Sequence, residues 1–322
     1  MLHRQSQLKA LAVLLLVLPL PALAGALALF DAGEFEQAES AARRELESDP
    51  ASLTALLVLG RVQLTLDRAA NAVQTLHRAT AQHPASAEAY YRLGQAVTVR
   101  VAESSTWRRM FMADDIGEAF ARAVELDPDN AEYRWALFEF CRQAPAMVGG
   151  GRKRAGAQAA ALARIDPARG HRARAALLLQ DGEPDAAERQ LRAAIARGPG
   201  DADHRYALGY FYLQRERWDE AFATFDDISR RFPGEAQALF QVGKTAAISG
   251  QRLDKGARAL ERYLRHKPRA GEPPLAWAHY RLGLIHDWRR DPAEAAAAYE
   301  TALALDPKLA DARQALAALR GK

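Results

Sequence analysis

Along most of the chain, apolar residues recur at steps of three, four and seven, the spacing that gathers them on one face of an α-helix. Prolines close these stretches at Pro50, Pro84, Pro128, Pro167, Pro199, Pro233, Pro268 and Pro307, with gaps of 34, 44, 39, 32, 34, 35 and 39 residues. The spacing therefore centres on 34 with insertions. Small or apolar residues stand about five, eight and twelve positions before a proline. They are Ile228, Phe225 and Ala221 before Pro233, Ala79, Leu76 and Ala72 before Pro84, and Ala302, Tyr299 and Ala295 before Pro307. Further upstream sits a Leu-Gly pair: Leu59-Gly60, Leu93-Gly94, Leu208-Gly209 and Leu282-Gly283. Glycine and alanine let two helices approach closely, and a terminal proline cannot continue a helix, so it forces a turn. Each unit is predicted to be an antiparallel helix pair that needs its neighbours to bury its apolar face.

This period, with its Leu-Gly, Ala and Pro slots, resembles the tetratricopeptide repeat. Leu208, Gly209, Tyr212, Ala221, Phe225 and Pro233 form the best unit. The stretch from Gly170 to Pro199 is the poorest of the later ones, two residues short and without the Leu-Gly pair. The resemblance covers almost all of residues 25–322. It implies an all-α fold, a right-handed superhelical solenoid of about eight helix–turn–helix repeats, with Ala310 to Leu319 as a capping helix. It also implies that the first helix of each unit lines a concave surface. Slot by slot, that surface would carry Tyr91, Trp135, Tyr206, Tyr210, Phe240, Lys244, Trp277, Tyr280 and Trp288. Aromatic side chains of this kind dominate binding hot spots. Chaperone-binding members of the family grip a terminal carboxylate with basic and asparagine residues. Tyr91, Trp135 and Tyr206 occupy one of those slots here, which points away from such a clamp and towards a protein or peptide segment with apolar anchors.

The N-terminus has a different pattern. His3, Arg4 and Lys9 precede an apolar run from Ala10 to Leu18, then Pro19, Pro21 and the small-x-small site Ala22-Leu23-Ala24. These are the parts of a secretory signal peptide. The run falls well short of the ~20 residues a membrane-spanning helix needs. Residues 1–24 are expected to be removed, leaving a periplasmic or secreted chain from Gly25. Arg4 and Lys9 leave with the leader, so the formal net charge of +4 falls close to neutral. That balance excludes the strong basic bias of a nucleic-acid binder. The lone cysteine, Cys141, can form no internal disulfide and stands too far from the cleavage site to carry a lipid. It lies on an apolar helical face as a core residue.

Three insertions break the period. The unit ending at Pro128 is overlong between its helices: helix is expected to Ala102, then a cap at Ser104-Ser105 and a long second helix towards Leu126. Trp107, Met110 and Phe111 share a face of its new end. The next unit carries Ala144-Pro145-Ala146-Met147-Val148-Gly149-Gly150-Gly151 in the equivalent turn. Adjacent turns stack in a solenoid, so Met147 and Val148 are expected to cover Trp107 and Phe111; an exposed docking tip is the alternative. A similar Ala-Pro-x-x-x-Gly-Gly insertion resembles those of bacterial exported repeat proteins. Gly149, Gly150 and Gly151 with Arg152, Lys153 and Arg154 form a candidate anion site, since free backbone N–H groups and cations together hold phosphate or carboxylate. The bland reading is a solvated basic turn. Arg269 to Pro274 reads as a longer link between units.

No phosphate-binding glycine loop with a following Lys-Ser/Thr and no Gly-x-Ser-x-Gly turn is present. His279 and His286 stand seven apart but lack a completing carboxylate or thiolate at ligand spacing. Asp114-Asp115 and Asp226-Asp227 diverge around a helix. No metal, cofactor or catalytic set is expected. The sequence therefore reads as an exported binding scaffold. An envelope adaptor for a transporter or surface-polymer system, recognising an anionic group at Gly149–Arg154, is the alternative, and an enzyme the last. If the leader is cut as expected, N-terminal sequencing of the native protein will begin at Gly25, whereas an intact Met1 on membrane-bound material rejects cleavage.

Overall fold

The computed structural model describes residues 25–102, 106–269 and 271–321, without the side chains of 106–113. The leader, the Ser104-Ser105 cap and the side chains of Trp107, Met110 and Phe111 lie outside the described residues. Everything described is helix or connecting turn, arranged as pairs. The first pairs are α1 (Ala26–Asp31) with α2 (Phe35–Ser48), α3 (Leu53–Thr65) with α4 (Ala69–Gln82), and α5 (Ala87–Ala102) with α6 (Thr106–Leu126). Then come α7 (Ala131–Gln143) with α8 (Arg152–Ile165), α9 (Pro167–Gln180) with α10 (Pro184–Arg197), and α11 (Ala202–Gln214) with α12 (Trp218–Arg231). The last are α13 (Gln237–Ser249) with α14 (Leu253–Tyr263), and α15 (Leu275–Trp288) with α16 (Pro292–Leu305), closed by α17 (Ala310–Arg320).

In five of the pairs the helices cross where a glycine on the first meets a large side chain on the second. A Cβ built on Gly60 would lie 2.7 Å from Leu76, on Gly94 2.5 Å from Phe120, and on Gly209 2.5 Å from Phe225. On Gly243 it would lie 2.2 Å from Leu260, and on Gly283 2.3 Å from Tyr299. The fifth pair, which lacks the Leu-Gly dipeptide, keeps the same size rule with Ala175 and Leu191 in the two slots, both buried. The fourth reverses it. Phe138, fully buried, stands in the glycine slot of α7, and Ala159 stands in the large slot of α8. Either way a large side chain is enclosed, and burying it contributes about 1.5–3 kcal/mol.

The turns are held by capping and by arginines. Ser52, Asn130, Asp166, Asp201 and Asp291 accept hydrogen bonds from N–H groups in the first turns of α3, α7, α9, α11 and α16, each cap adding about 1 kcal/mol. The carbonyl of a unit-closing proline accepts from an arginine six residues on: Arg134 to Pro128 at 2.6 Å, Arg205 to Pro199 at 2.7 Å, and Arg313 to Pro307. Pro167 departs from the expected turn. It is the first residue of α9, and Asp166 serves as the end of α8 and the cap of α9 at once. Gly170 permits this abrupt junction, since a Cβ there would come within 2.4 Å of the Ala163 backbone.

Among the described residues, successive first helices pack on each other (α1–α3, α3–α5, α7–α9, α9–α11, α13–α15), while successive second helices do not pack comparably. The first helices thus lie on the inside of the curve. The coil brings the turn before α2 back beside the link after α14, where Lys267 Nζ stands 3.7 Å from Glu34 Oε1. A carboxylate locks the fifth pair to the sixth: Glu188 accepts from Tyr212 at 2.8 Å, Arg217 at 2.6 Å and Arg192 at 2.9 Å. Burial alone would raise its pKa, but these donors outweigh it and hold the carboxyl at about 2.

Two measurements check this packing. Gly209→Ala should cost about 1–3 kcal/mol in chemical denaturation, because the Phe225 ring is fully enclosed, and adding Phe225→Leu should recover part of the loss. Glu188→Gln should cost about 2 kcal/mol at neutral pH. Because the folded pKa is depressed from 4.5 to about 2, the wild-type advantage is complete above pH 4.5 and fades as pH falls towards 2. A pH-independent difference between the two proteins would reject the network.

Candidate binding groove

The first helices place the sequence-predicted residues in two environments. Tyr91, Tyr206 and Phe240 are buried to 5, 6 and 5 % exposure and act as walls between units. Tyr91 donates to Glu132 at 2.7 Å, accepts from Gln95 at 2.8 Å, and lies 4.8 Å from the Tyr133 ring. Tyr206 lies 6.0 Å from Tyr210, and Phe240 packs 5.5 Å from Tyr263. Trp135, Tyr210, Lys244, Trp277 and Tyr280 are half-buried, and Trp288 is 56 % exposed. The nine expected positions narrow to these six as surfaces a partner can touch.

These six do not form one continuous strip. Trp135 stands apart on α7, with the Arg172 guanidinium 4.6 Å above its ring. Tyr210 accepts from Gln237 of the next unit at 3.0 Å. Trp277 and Tyr280 meet edge to face at 5.8 Å, and the Arg281 guanidinium lies 5.7 and 5.0 Å from their ring centres. Burial together with the charge of Arg281 lowers the pKa of Lys244, and burial lowers that of Arg281. Neither cation has an ion-pair partner among the described residues. Trp288 donates from its indole to Ala247 at 3.0 Å and rests on Gly250, where a Cβ would lie 3.1 Å from the ring. With Ile248 and Leu284 it borders an apolar hollow at one end of the groove.

Sequence reasoning missed Arg172 and Arg281, the cations that lie over the aromatic rings. Their signal was available: an arginine three or four residues from an aromatic on one helix, or one turn along the next, lies within reach of that ring. Nearer the N-terminus, carboxylates pair with arginines on the same first helix, Glu88 with Arg92 at 2.9 Å on α5 and Glu139 with Arg142 at 2.6 Å on α7.

The glycine turn is differently built from the expected cradle. Gly149 and Gly151 take positive φ of 80° and 100°. Their N–H groups and that of Gly150 are consumed internally: Gly149 donates to Ala146, Gly150 to Pro145, and Gly151 to Cys141 at 2.7 Å. Arg154 donates to Gly149 O at 2.8 Å and Arg152 pairs with Asp181 at 2.6 Å, leaving Lys153 exposed. The loop therefore spends its donors on its own shape. Val148 is buried and anchors the turn, whereas Met147 is 81 % exposed. The side chains of Trp107 and Phe111, which both residues were expected to cover, lie outside the described residues. Cys141 is buried beneath the turn, and burial raises its pKa. His279 is half-buried, with its pKa lowered by burial.

The tetratricopeptide repeat model matches residues 23–79 and 172–241, and a second tetratricopeptide repeat model matches 276–309, together about half of the chain. The chain belongs to the tetratricopeptide repeat family. Solved repeat structures share its fold. A tetratricopeptide repeat protein from Parabacteroides merdae is 12 % identical with a TM-score of 0.51, covering 92 % of this chain and 96 % of that one. A monomeric mutant of IFIT1, solved with Gppp-AAAA, is 14 % identical with a TM-score of 0.57 over 92 % of this chain and 70 % of its own. Cut9–Hcn1, from the APC/C, is 16 % identical at a TM-score of 0.50, over 91 % and 54 %. A search of curated proteins finds no significant match. At these identities the likeness is one of fold.

A Trp288→Ala variant should lose the most red-shifted component of the tryptophan emission, because its indole is 56 % exposed. Unchanged iodide quenching in that variant would place the accessible indole elsewhere.

Proposed function

We propose that this tetratricopeptide repeat protein is an exported, non-enzymatic scaffold that holds an extended protein segment in the concave face of its last three helix pairs. The observation that carries the reading is the run of half-buried side chains along three successive first helices, Tyr210 on α11, Lys244 on α13, and Trp277, Tyr280 and Arg281 on α15. Rigid aromatic rings offer a large contact area at small entropic cost, and cations held over them bind an accompanying carboxylate or backbone carbonyl. The repeat family's general use as a protein-interaction scaffold supports the same reading. Export rests on the basic start, short apolar run and Ala22-Leu23-Ala24 site of the leader, and the Ala-Pro-x-x-x-Gly-Gly insertion supports a place among bacterial exported repeat proteins. No helix among the described residues is long and apolar enough to cross a membrane.

A displayed peptide library selected on residues 25–322 gives the ligand for the test. Tyr210→Ala combined with Trp277→Ala should weaken the best selected peptide by about 2 kcal/mol or more, with the helical circular dichroism spectrum retained. Equal affinity in a folded double variant would move the binding surface away from this half of the groove.

A further inference from the structure

The outer face carries a feature that the groove does not use. Helices α12 and α14 both pack on α13 but not appreciably on each other, and a cleft of about 570 Å³ opens between them. Its floor is apolar, from Leu239, Val242 and Ala259. Its walls carry five cations, Arg230, Arg252, Lys255, Arg258 and Arg262, against one acid, Asp226.

This charge is not a property of outer clefts in general. The equivalent cleft between α4 and α6 is lined by Asp115 and Glu118 with Arg122, and the one between α6 and α8 by Asp114 and Glu118 with Arg154. A chain with formal net charge +4 thus gathers an excess of that size in a single cleft. Local carboxylates offset it only in part. Lys255 pairs with Asp226, and Arg252 with Asp219 at 2.5 Å. Arg230 lies 3.7 Å from Asp227, a carboxylate already holding Arg231 at 2.8 Å and Arg205 at 3.2 Å. The side chains of Arg258 and Arg262 take part in no ion pair or hydrogen bond among the described residues. They stand with Lys255 at i, i+3 and i+7, one face of α14. Glu261, the acid between the two arginines in sequence, does not line the cleft.

Arg230, Arg252, Arg258 and Arg262 are exposed and Lys255 is half-buried, so solvent screens their mutual repulsion, and an anion entering the cleft meets all five. We infer that this cleft binds a compact polyanion, a condensed phosphate or a phosphate ester group. Four of the five cations are arginines, whose planar donor pairs match phosphate oxygens two at a time, and the Ser229 hydroxyl on the wall adds a neutral donor. Compactness separates phosphate from an acidic peptide. An extended peptide delivers at most one charge per ~3.4 Å of length, with alternate side chains facing away, whereas one condensed phosphate places several charges inside the cleft. The same headgroup chemistry is available from a free phosphate compound or from a phosphorylated lipid, and two probes tell these apart.

Tripolyphosphate titrated calorimetrically into residues 25–322 should bind with one-to-one stoichiometry. Arg258→Ala with Arg262→Ala should weaken it at least about tenfold, the loss of two charge-assisted contacts. Arg44→Ala with Arg189→Ala removes the same charge from exposed positions elsewhere and should change the affinity less than about twofold. Equal weakening in both double variants reduces the effect to net charge and overturns the site, as does wild-type affinity in the first. Tighter binding of hexaglutamate than of tripolyphosphate, lost in the first variant, would also overturn the phosphate assignment. Cosedimentation with phosphatidic acid vesicles but not phosphatidylcholine vesicles, lost in the same variant, assigns the headgroup as the source. Vesicle-independent binding of tripolyphosphate assigns a free phosphate compound. The Tyr210→Ala and Trp277→Ala variant should bind tripolyphosphate normally, which keeps this result separate from the fate of the concave groove.

Discussion

From the second pair onwards, the helix pairs of this solenoid depend on one steric requirement, that a large side chain on one helix find an absent or minimal side chain opposite it. At Gly209 the Phe225 ring occupies the space in which a Cβ would sit, and the same holds at Gly60, Gly94, Gly243 and Gly283. The crossing distance sets the tilt of each pair, and the tilt sets how the next pair stacks. The fourth pair, with Phe138 and Ala159 exchanged, meets the same requirement with the sizes reversed. The shared feature is a large residue in one slot and a small one in the other, and not the identity of either residue.

Curvature follows from that stacking, and curvature divides the surface into two chemistries. First helices crowd on the inside, and they bear half-buried aromatics with cations over them. Second helices splay on the outside and leave clefts floored by the helix between them. Because each cleft draws its walls from only two or three helices, its charge can differ from one unit to the next. The acidic character near Asp115 and Glu118 and the basic character near Arg258 and Arg262 coexist on one near-neutral chain.

The insertions show how a repeat absorbs extra length. The ten residues added before Pro128 lengthen both α5 and α6, and the five added in the following unit form a turn whose glycines satisfy nearby carbonyls. Val148 fastens that turn, and Arg154 closes it by donating to Gly149. Its charge and glycine content look like anion chemistry in the sequence because both features serve equally well to build a tight, self-bonded turn. Only the hydrogen-bond partners separate the two uses.

The sequence by itself determined the helical class, the family and most of the pairing. Those properties follow from local periodicity, from prolines that stop helices and from small residues at fixed offsets, all of which act within a few turns of chain. It also placed the expected aromatics on first helices. Tertiary structure decided what periodicity cannot carry. Tyr91 and Phe240 share slots with Trp135 and Tyr280, yet which rings are walls and which are surfaces depends on how neighbouring units tilt. Arg172 and Arg281 acquired their roles from rings on other turns or other helices. The basic outer cleft joins residues from α12 and α14 whose convergence depends on the angle between two units. Such long-range angles arise from many small packing volumes summed along the solenoid, and no single position in the sequence encodes them.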